Sequence, residues 1–398
     1  MTRRARRLVA AAAVGSLLAV LACDGLLGLD DPTGALSSDA GAADATSPRE
    51  SAPPDSDALP SLLDHACPVG QTSCAGLCVD LASDSNNCGA CGRVCVAPCE
   101  AGLCQPVQLP LPGPGPVRGI ASSGNALYAV TDDEVFLSSF DPDGPGYLPP
   151  FVSVYATDGG TLRSLAAVSG NVPTVAVAVS PGDALLQLGG ASPLSIAADA
   201  GDPLSLASTG GAIFWASSDP SATSIMGLEP QGSPSSVATL QPGDDPCSLF
   251  AGIGGVYWTS ARGTFVVPLV GGIPVAVTQA PFDNSVASAD GQWAIVADSF
   301  GNVTLVGPTL PPLPVPVPGY VNAVAAGEGH VYLAGDGIYA LTLPDAGATP
   351  VVTLLAVGDV VPSCHVPVLA VIGDYLAWVD AATGTVRYVT TAVPVPMQ

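Results

Sequence analysis

The chain has 398 residues and carries 34 acidic side chains against ten basic ones, all of them arginine, for a formal net charge of −24. This balance excludes nucleic acid as a partner, because nucleic-acid binding needs a basic surface, and it disfavours adhesion to anionic lipid head groups. Although 48% of the residues are hydrophobic, no run of about 18 apolar residues beyond the N terminus lacks a Gly, a Pro or a charge. The 46 Gly and 40 Pro instead predict an all-β protein with many turns.

The N terminus has the three-part pattern of a secretory signal peptide over residues 1–22. Four arginines between positions 3 and 7 precede an uncharged apolar run from Leu8 to Ala22, which is too short to span a bilayer. Val20-Leu21-Ala22-Cys23 then resembles the lipobox of bacterial lipoproteins. The resemblance implies cleavage after Ala22 and lipid on Cys23. The alternative is ordinary signal-peptide cleavage that leaves Cys23 as a free thiol.

Residues 23–64 are predicted to be the lipid anchor followed by a disordered acidic tether. Asp, Ser, Ala, Pro and Gly dominate this stretch, and such a composition cannot bury enough apolar surface to fold. About forty flexible residues would span roughly 35 Å on average. We therefore expect an exported, membrane-anchored protein, with the outer membrane or cell surface favoured over the inner membrane.

A cysteine-rich module is predicted over residues 65–105. The module has few large apolar side chains, so disulfides must take the place of a hydrophobic core. With Cys23 set aside for lipid, the remaining cysteine count is even, as expected for disulfides in an oxidising compartment. Eight cysteines allow about 105 connectivities, and the sequence does not choose among them. These eight are Cys67, Cys74, Cys78, Cys88, Cys91, Cys95, Cys99 and Cys104.

Two metal sites are alternatives for this module. Cys88-Gly-Ala-Cys91 has the spacing of a structural zinc site, and the side chains of Asp80, Asp84, Asn86 and Asn87 offer oxygen ligands for calcium. Short Asp and Asn side chains more often cap tight turns by bonding their own backbone. We therefore predict disulfides and turn caps, with no metal and no cofactor.

The string CVDLASDSNNCGACGRVC, at residues 78–95, resembles a Cys-rich module that recurs in surface lipoproteins of myxobacteria. The resemblance covers about forty residues. It implies a surface location and no particular chemistry.

Residues 106–398 contain an internal repeat. LPLPGPGPVRGIA at 109–121 and LPVPVPGYVNAVA at 313–325 are identical at seven of thirteen positions. A looser pattern of apolar strand, glycine turn and apolar-aromatic strand recurs seven times, on average about 41 residues apart, and this period fits a four-stranded propeller blade. We therefore predict a seven-bladed β-propeller, with six blades as the alternative. The turn glycines are Gly124, Gly170, Gly210, Gly254, Gly291, Gly329 and Gly373.

One repeat is similar to the repeat of a known family. Tyr257-Trp258-Thr259-Ser260 resembles the YWTD repeat of low-density-lipoprotein-receptor-type β-propellers, and the segments 214–217 and 377–380 are weaker copies. The resemblance implies six blades, an aromatic pair packed between blades and an Asp that bonds to the next blade. Only Asp380 keeps that Asp, because Ser260 replaces it in the best match.

The ends of the repeat region predict how the ring closes. An open ring would expose sheet edges, so we expect Val107–Leu111 to pair with the last repeat, where Thr385–Thr391 and Val393–Met397 are candidate strands. Cys247 and Cys364 are the remaining cysteines and are predicted to form a disulfide between the fourth repeat and the region before the seventh. The alternative is two buried free thiols.

Catalytic signatures are scarce in this sequence. The short motifs of serine hydrolases, zinc proteases and phosphate-binding loops do not occur, and the three histidines, His65, His330 and His365, do not recur with the repeats. His365 follows Cys364, but adjacent residues of a strand point to opposite faces and are poorly placed to share a site. The four tryptophans recur at strand positions and are predicted to pack between blades.

Together these features predict a non-enzymatic lipoprotein that presents its propeller for binding at the cell envelope. Its partners would be the membrane, through lipid on Cys23, and an unknown protein or glycan. The alternative is a propeller-based hydrolase or lyase that holds a metal in its central channel.

Overall fold

Seven small antiparallel sheets, the blades, follow a disulfide-bonded module in the computed structural model. The structure describes residues 67–391 apart from 144–146, 169–171, 181–183, 191, 199, 220–221, 231, 243, 253, 279–285, 290–292, 298–301, 308–311, 328–329, 344–348, 362 and 364, with the backbone alone at 219 and 286–289. Within these residues every regular element is a strand, so they include no helix suited to crossing a membrane.

The module holds two short hairpins, formed by β1 (Thr72–Cys74) with β2 (Leu77–Val79) and by β3 (Cys99–Glu100) with β4 (Leu103–Cys104). Each hairpin turns through an Ala-Gly pair in which both residues have positive φ, the conformation of a tight turn that matches the strand twist. The eight cysteines form four disulfides, and the structure thereby supplies the connectivity that the sequence left open. The pairs are Cys67–Cys78, Cys74–Cys91, Cys88–Cys99 and Cys95–Cys104.

Each of the first six blades is a four-stranded meander whose strands pair in chain order. Blades 1 to 3 comprise β6 (Gly119–Ser123), β7 (Ala126–Val130), β8 (Glu134–Ser139) and β9 (Val152–Ala156); β10 (Thr161–Val168), β11 (Thr174–Ser180), β12 (Ala184–Leu188) and β13 (Leu194–Ala197); and β14 (Pro203–Thr209), β15 (Ala212–Asp219), β16 (Ala222–Leu228) and β17 (Ser235–Thr239). Blades 4 to 6 comprise β18 (Ser248–Gly252), β19 (Gly255–Ser260), β20 (Gly263–Pro268) and β21 (Val275–Thr278); β22 (Val286–Ala289), β23 (Trp293–Ala297), β24 (Val303–Val306) and β25 (Leu313–Val315); and β26 (Val321–Gly327), β27 (His330–Gly335), β28 (Ile338–Thr342) and β29 (Val351–Ala356).

Blade 7 joins the two ends of the propeller. Its strands β30 (Leu369–Ile372), β31 (Tyr375–Val379) and β32 (Val386–Thr390) come from the C-terminal repeat, and β5 (Val107–Leu109) adds the fourth strand. Leu109 pairs with Val386 and Val107 with Tyr388. The predicted closure is therefore confirmed for this pair of segments, and the seven-bladed prediction is confirmed over its six-bladed alternative. The second candidate strand, Val393–Met397, lies outside the described residues.

The second strand of a blade is its most buried element. All six residues of β19 and all five of β7 and of β31 are buried, because neighbouring blades cover both faces of the sheet. This explains why these segments read as continuous apolar runs and not as alternating ones. Trp215, Trp258 and Trp378 are at most 1% exposed, as predicted for an inter-blade core.

The meander divides the loops between two faces of the ring. Loops that enter a first strand and loops that join a second strand to a third lie on one face, here named the mouth face, because successive strands are antiparallel. Turns that join first to second strands and third to fourth strands lie on the opposite face, named the hairpin face. Each loop of the described chain can thus be assigned to a face from the strand pairing alone.

Candidate binding face at the channel mouth

The first strands of the blades surround a central channel with a cavity of about 280 Å³. Small aliphatic and serine side chains dominate the described wall, among them Ser122, Ala167, Ser208 and Ala326. Small residues fit here because the first strands of all the blades converge on the axis. His365 is the one titratable side chain among the described lining residues.

A segment that we name the strap, residues 363–368 without the undescribed Cys364, crosses the channel at the mouth face before it enters β30. The backbone N–H of Ile120 in blade 1 donates to the Pro367 carbonyl at 2.8 Å. The buried Ser164 hydroxyl in blade 2 donates to the His365 carbonyl at 2.7 Å and accepts the N–H of Leu206 in blade 3 at 3.1 Å. The strap, which leads into blade 7, is thereby bonded to the neighbouring blade 1 and to blade 2.

Gly119 makes room for the strap. A Cβ at this position would clash with Val366 Cγ1 and would lie 2.9 Å from the Pro367 carbonyl oxygen. Val366 itself packs into the apolar cluster between blades 1 and 2 and has little freedom to move.

Gly119→Ala is therefore expected to lower the free energy of unfolding by about 1–3 kcal/mol, the usual cost of overpacking a filled site. Urea unfolding followed by tryptophan fluorescence measures the change. Gly190→Ala is the matched control, because the nearest atom to its new Cβ is 3.9 Å away. Equal midpoints for the two variants would contradict the packing of the strap against blade 1.

His365 points towards blades 2 and 4. Burial lowers the pKa of its imidazole below the ordinary 6.5, and the Arg163 guanidinium lowers it further, while Asp245 and a hydrogen bond with the Cys247 backbone act in the opposite direction. Its Nδ1 is buried without a hydrogen-bond partner among the described residues. The folded protein therefore prefers the neutral ring.

Because the pKa of His365 is lower in the folded state than in the unfolded state, stability should be complete above pH 6.5 and should fall as the pH drops below it. We expect the melting temperature to be lower at pH 5.5 than at pH 7.5, and His365→Gln to reduce that difference. His330→Gln, at the hairpin-face end of β27, serves as the control. A pH difference that persists unchanged in His365→Gln would refute this role for His365.

Cys247 lies just before the first strand of blade 4 and is disulfide-bonded, which excludes the free-thiol alternative for this residue. Its predicted partner, Cys364, lies outside the described residues, so that pairing stays a prediction. His365, the neighbour of Cys364 in the chain, nonetheless bonds to the Cys247 backbone.

The charged side chains of the propeller concentrate on the mouth face. All four propeller arginines, Arg118, Arg163, Arg262 and Arg387, lie there, at loops or at the mouth-face ends of strands. The described turns of the hairpin face hold only the acids Asp141, Asp143, Glu229 and Asp374. The described acids of the mouth face include Asp132, Asp133, Asp158, Asp202, Asp244, Asp245, Asp336, Asp359 and Asp380.

Two of these four arginines are engaged by carboxylates. Arg118 forms a two-pronged ion pair with Asp132, at 2.8 and 3.0 Å, and Arg387 Nε lies 3.2 Å from Asp380 Oδ2. Arg163 differs, because it is exposed and has no carboxylate or hydrogen-bond partner among the described residues. A bulge between Leu162 and Ser164 displaces it from the regular register of β10, and bulges commonly redirect side chains at functional sites.

The one carboxylate in the YWTD-like segments, that of Asp380, makes bonds within its own blade. Asp380 Oδ1 accepts from the backbone N–H and the hydroxyl of Thr383, at 2.9 and 2.7 Å, and so caps the β31–β32 hairpin. At Ser260, where the repeat would have Asp, the hydroxyl bonds to the buried carboxylate of Asp244. The described contacts of Asp380 thus do not include the inter-blade bond that the resemblance implied.

The cysteine-rich module packs directly on blades 6 and 7. The Arg93 side chain, 4% exposed, donates to the Leu355 carbonyl at 2.9 Å, and burial lowers its pKa. Thr390 Oγ1 donates to the Val94 carbonyl at 2.9 Å. Sequence reasoning missed this contact, because an arginine in a polar loop is ordinarily exposed.

The side chains proposed as alternative metal ligands are committed elsewhere. Cys88 and Cys91 belong to two different disulfides. Asp80 accepts from Ala82 N and Ser83 Oγ, and Asp84 accepts from Asn86 N, so both carboxylates cap turns as predicted. Cys88, Cys95 and Cys104 bring their sulfurs within 4.8 Å of one another, but all three are disulfide-bonded. Cys23 and His65 lie outside the described residues.

Comparison with known proteins adds a match for the module. Residues 60–106 match the stigma-specific STIG1-like protein family. The chain is a seven-bladed β-propeller behind a STIG1-like module with four disulfides. No curated protein sequence matches it.

Among solved structures, a streptogramin B lyase aligns with a TM-score of 0.54 and 12% identity over 72% of this chain and 96% of the lyase chain. Virginiamycin B lyase from Staphylococcus aureus aligns with a TM-score of 0.54 and 10% identity over 72% and 98%. A chain of a nidogen/laminin complex gives a TM-score of 0.43 at 15% identity over 58% and 92%. At these identities the two lyase alignments show a shared propeller fold.

Proposed function

We propose that the protein is an exported lipoprotein, anchored through Cys23, whose propeller binds a protein or glycan partner at the cell envelope and catalyses no reaction. The observation that carries the binding role is the concentration of charge on the mouth face, where the exposed Arg163 has no carboxylate partner among the described residues. A basic side chain in an acidic surround favours a partner that presents an acidic group at this one point and basic or hydroxyl groups around it.

Two further features support export and anchoring. Four disulfides hold the module together, and such bonds persist in oxidising compartments. The lipobox-like residues 20–23 and the acidic tether lie upstream of the module, in the order that a surface-anchored protein needs. The resemblance of residues 78–95 to modules of myxobacterial surface lipoproteins agrees with the same location.

Capture of a partner from an envelope fraction tests the mouth face. The immobilised protein should retain a partner. For Arg163→Glu the dissociation constant of that partner should be at least tenfold higher, which corresponds to a loss of about 1.4 kcal/mol of binding free energy. Glu229→Arg, a charge reversal on the hairpin face, should retain it unchanged. Loss of the partner in Glu229→Arg but not in Arg163→Glu would reject the mouth face as the binding surface.

The intact mass of the membrane-extracted protein tests the anchor. A diacylglyceryl or triacyl mass on a chain that begins at Cys23, with ten cysteines alkylated only after reduction, is the expected result. An unlipidated chain with free thiols would reject both the anchor and the oxidising compartment.

Metal analysis of the purified protein tests the alternative of a metal-dependent hydrolase or lyase. A stoichiometric divalent metal bound to the propeller would favour the hydrolase or lyase alternative, since such enzymes polarise their substrates with a bound cation. Among the described channel residues, His365 is the side chain best suited to ligate one.

A further inference from the structure

The central channel is closed differently at its two ends. At the mouth face the strap is bonded to Ile120 and Ser164, and Asn322 Nδ2 in blade 6 donates to the Val360 carbonyl just upstream of the strap at 3.4 Å. Val366 fills the space above Gly119. On the hairpin face the fully described turns between first and second strands, those of blades 1, 3 and 7, are tight. Among the described residues, the channel is therefore covered at the mouth face alone.

The described part of this cavity's wall is mostly apolar. Ser122, Phe250, Val324 and Val371 are half-buried residues of four different blades that line it. No Asp, Glu or Arg is among the described residues of the wall. A charged ligand would lose its hydration here without gaining a counter-charge from the described wall, which disfavours its binding.

The cavity retains a few polar groups that a ligand can use. The hydroxyls of Ser122 and Ser248 make no hydrogen bond to another described residue, whereas Ser208 Oγ bonds to the Ala167 carbonyl. The volume of about 280 Å³ lies near the lower limit of about 300 Å³ for small-molecule sites and is too small for a polymer.

We propose that the channel is a binding pocket for a small uncharged molecule with an apolar body and a single hydroxyl or carbonyl group, entered from the hairpin face. The apolar body would contact Phe250, Val324 and Val371, and the polar group would bond to the serine hydroxyls. This site is separate from the mouth face and does not depend on a partner bound there.

Cyclohexanol is a suitable probe, with cyclohexanecarboxylate as its charged counterpart. Saturation-transfer NMR titration of the full-length protein should give an affinity for cyclohexanol at least tenfold higher than for the carboxylate. Ala326→Leu, which fills the channel from β26, should weaken cyclohexanol binding at least tenfold. Ala276→Leu, at an exposed position of the outer strand β21, should leave it unchanged.

Ser122→Leu fills the channel from β6 and provides a second test should Ala326→Leu fail to fold, which circular dichroism reveals. The proposal is overturned by an undetectable affinity of the wild type for cyclohexanol, by equal affinity for the carboxylate, or by unchanged binding in a folded channel-filling variant.

Discussion

Leu109→Ala is expected to lower the free energy of unfolding by about 2–5 kcal/mol, the range for truncating a fully buried leucine. Leu109 is 2% exposed and packs into the largest apolar cluster, which joins blades 1, 6 and 7 with the cysteine-rich module. It also lies on β5, the strand that completes blade 7. The truncation therefore weakens the contact that holds the ring closed.

Gln108→Ala is the matched control, because the neighbouring side chain on the same strand is exposed. Chemical unfolding should separate the two variants by at least 2 kcal/mol, since only one of them loses buried contacts. Proteolysis under native conditions should cut Leu109→Ala faster within blade 7. Similar midpoints and cleavage rates for both variants would refute the role of β5 in closure.

Removing the Cys95–Cys104 disulfide by a double alanine substitution is expected to destabilise the protein by about 3–5 kcal/mol. This disulfide closes a loop of 9 residues, and both cysteines belong to the apolar cluster shared with the blades. The expected loss of stability therefore has two contributions. The unfolded chain gains conformational freedom, and the packing between the module and the propeller loosens around Cys104, which is 1% exposed.

The double alanine variant at Cys67 and Cys78 separates these two contributions. That disulfide closes a similar loop of 11 residues, so the unfolded-state effect is nearly equal, at about 3 kcal/mol for both pairs. Neither cysteine belongs to the shared cluster, and Cys78 is exposed. Calorimetry should show the larger loss at Cys95 and Cys104. A larger loss at Cys67 and Cys78 would show that the contact with the blades contributes little.

Much of the architecture follows from periodicity alone. Seven glycine turns at a nearly constant spacing specify seven equivalent sheets, and the fully apolar segment Ala126–Val130 shows why the second strand of a blade must be buried on both faces. Closure could be predicted as well, because the alternative leaves strand edges exposed.

The candidate site could not be predicted from the sequence, because it depends on contacts that form only in the folded ring. The bulge that displaces Arg163 depends on pairing between β10 and β11 and has no residue signature. The path of the strap depends on Ser164 and Gly119, which lie some 200 residues or more away in the chain and come close only once the ring is formed. The choice among disulfide pairings likewise depends on which cysteines the two hairpins bring together.

The contribution of β5 to the last blade has a consequence for biosynthesis. Its partner β32 is synthesised after the other six blades, so the ring stays open until then. Six blades can form successively as they emerge, but the first and last of them keep an unprotected flank until the final strand arrives. A chain that stops before residue 386 cannot close its ring, and its exposed flanks make it a target for proteases. Closure thus separates chains that contain β32, which become resistant to proteolysis, from chains that end before it.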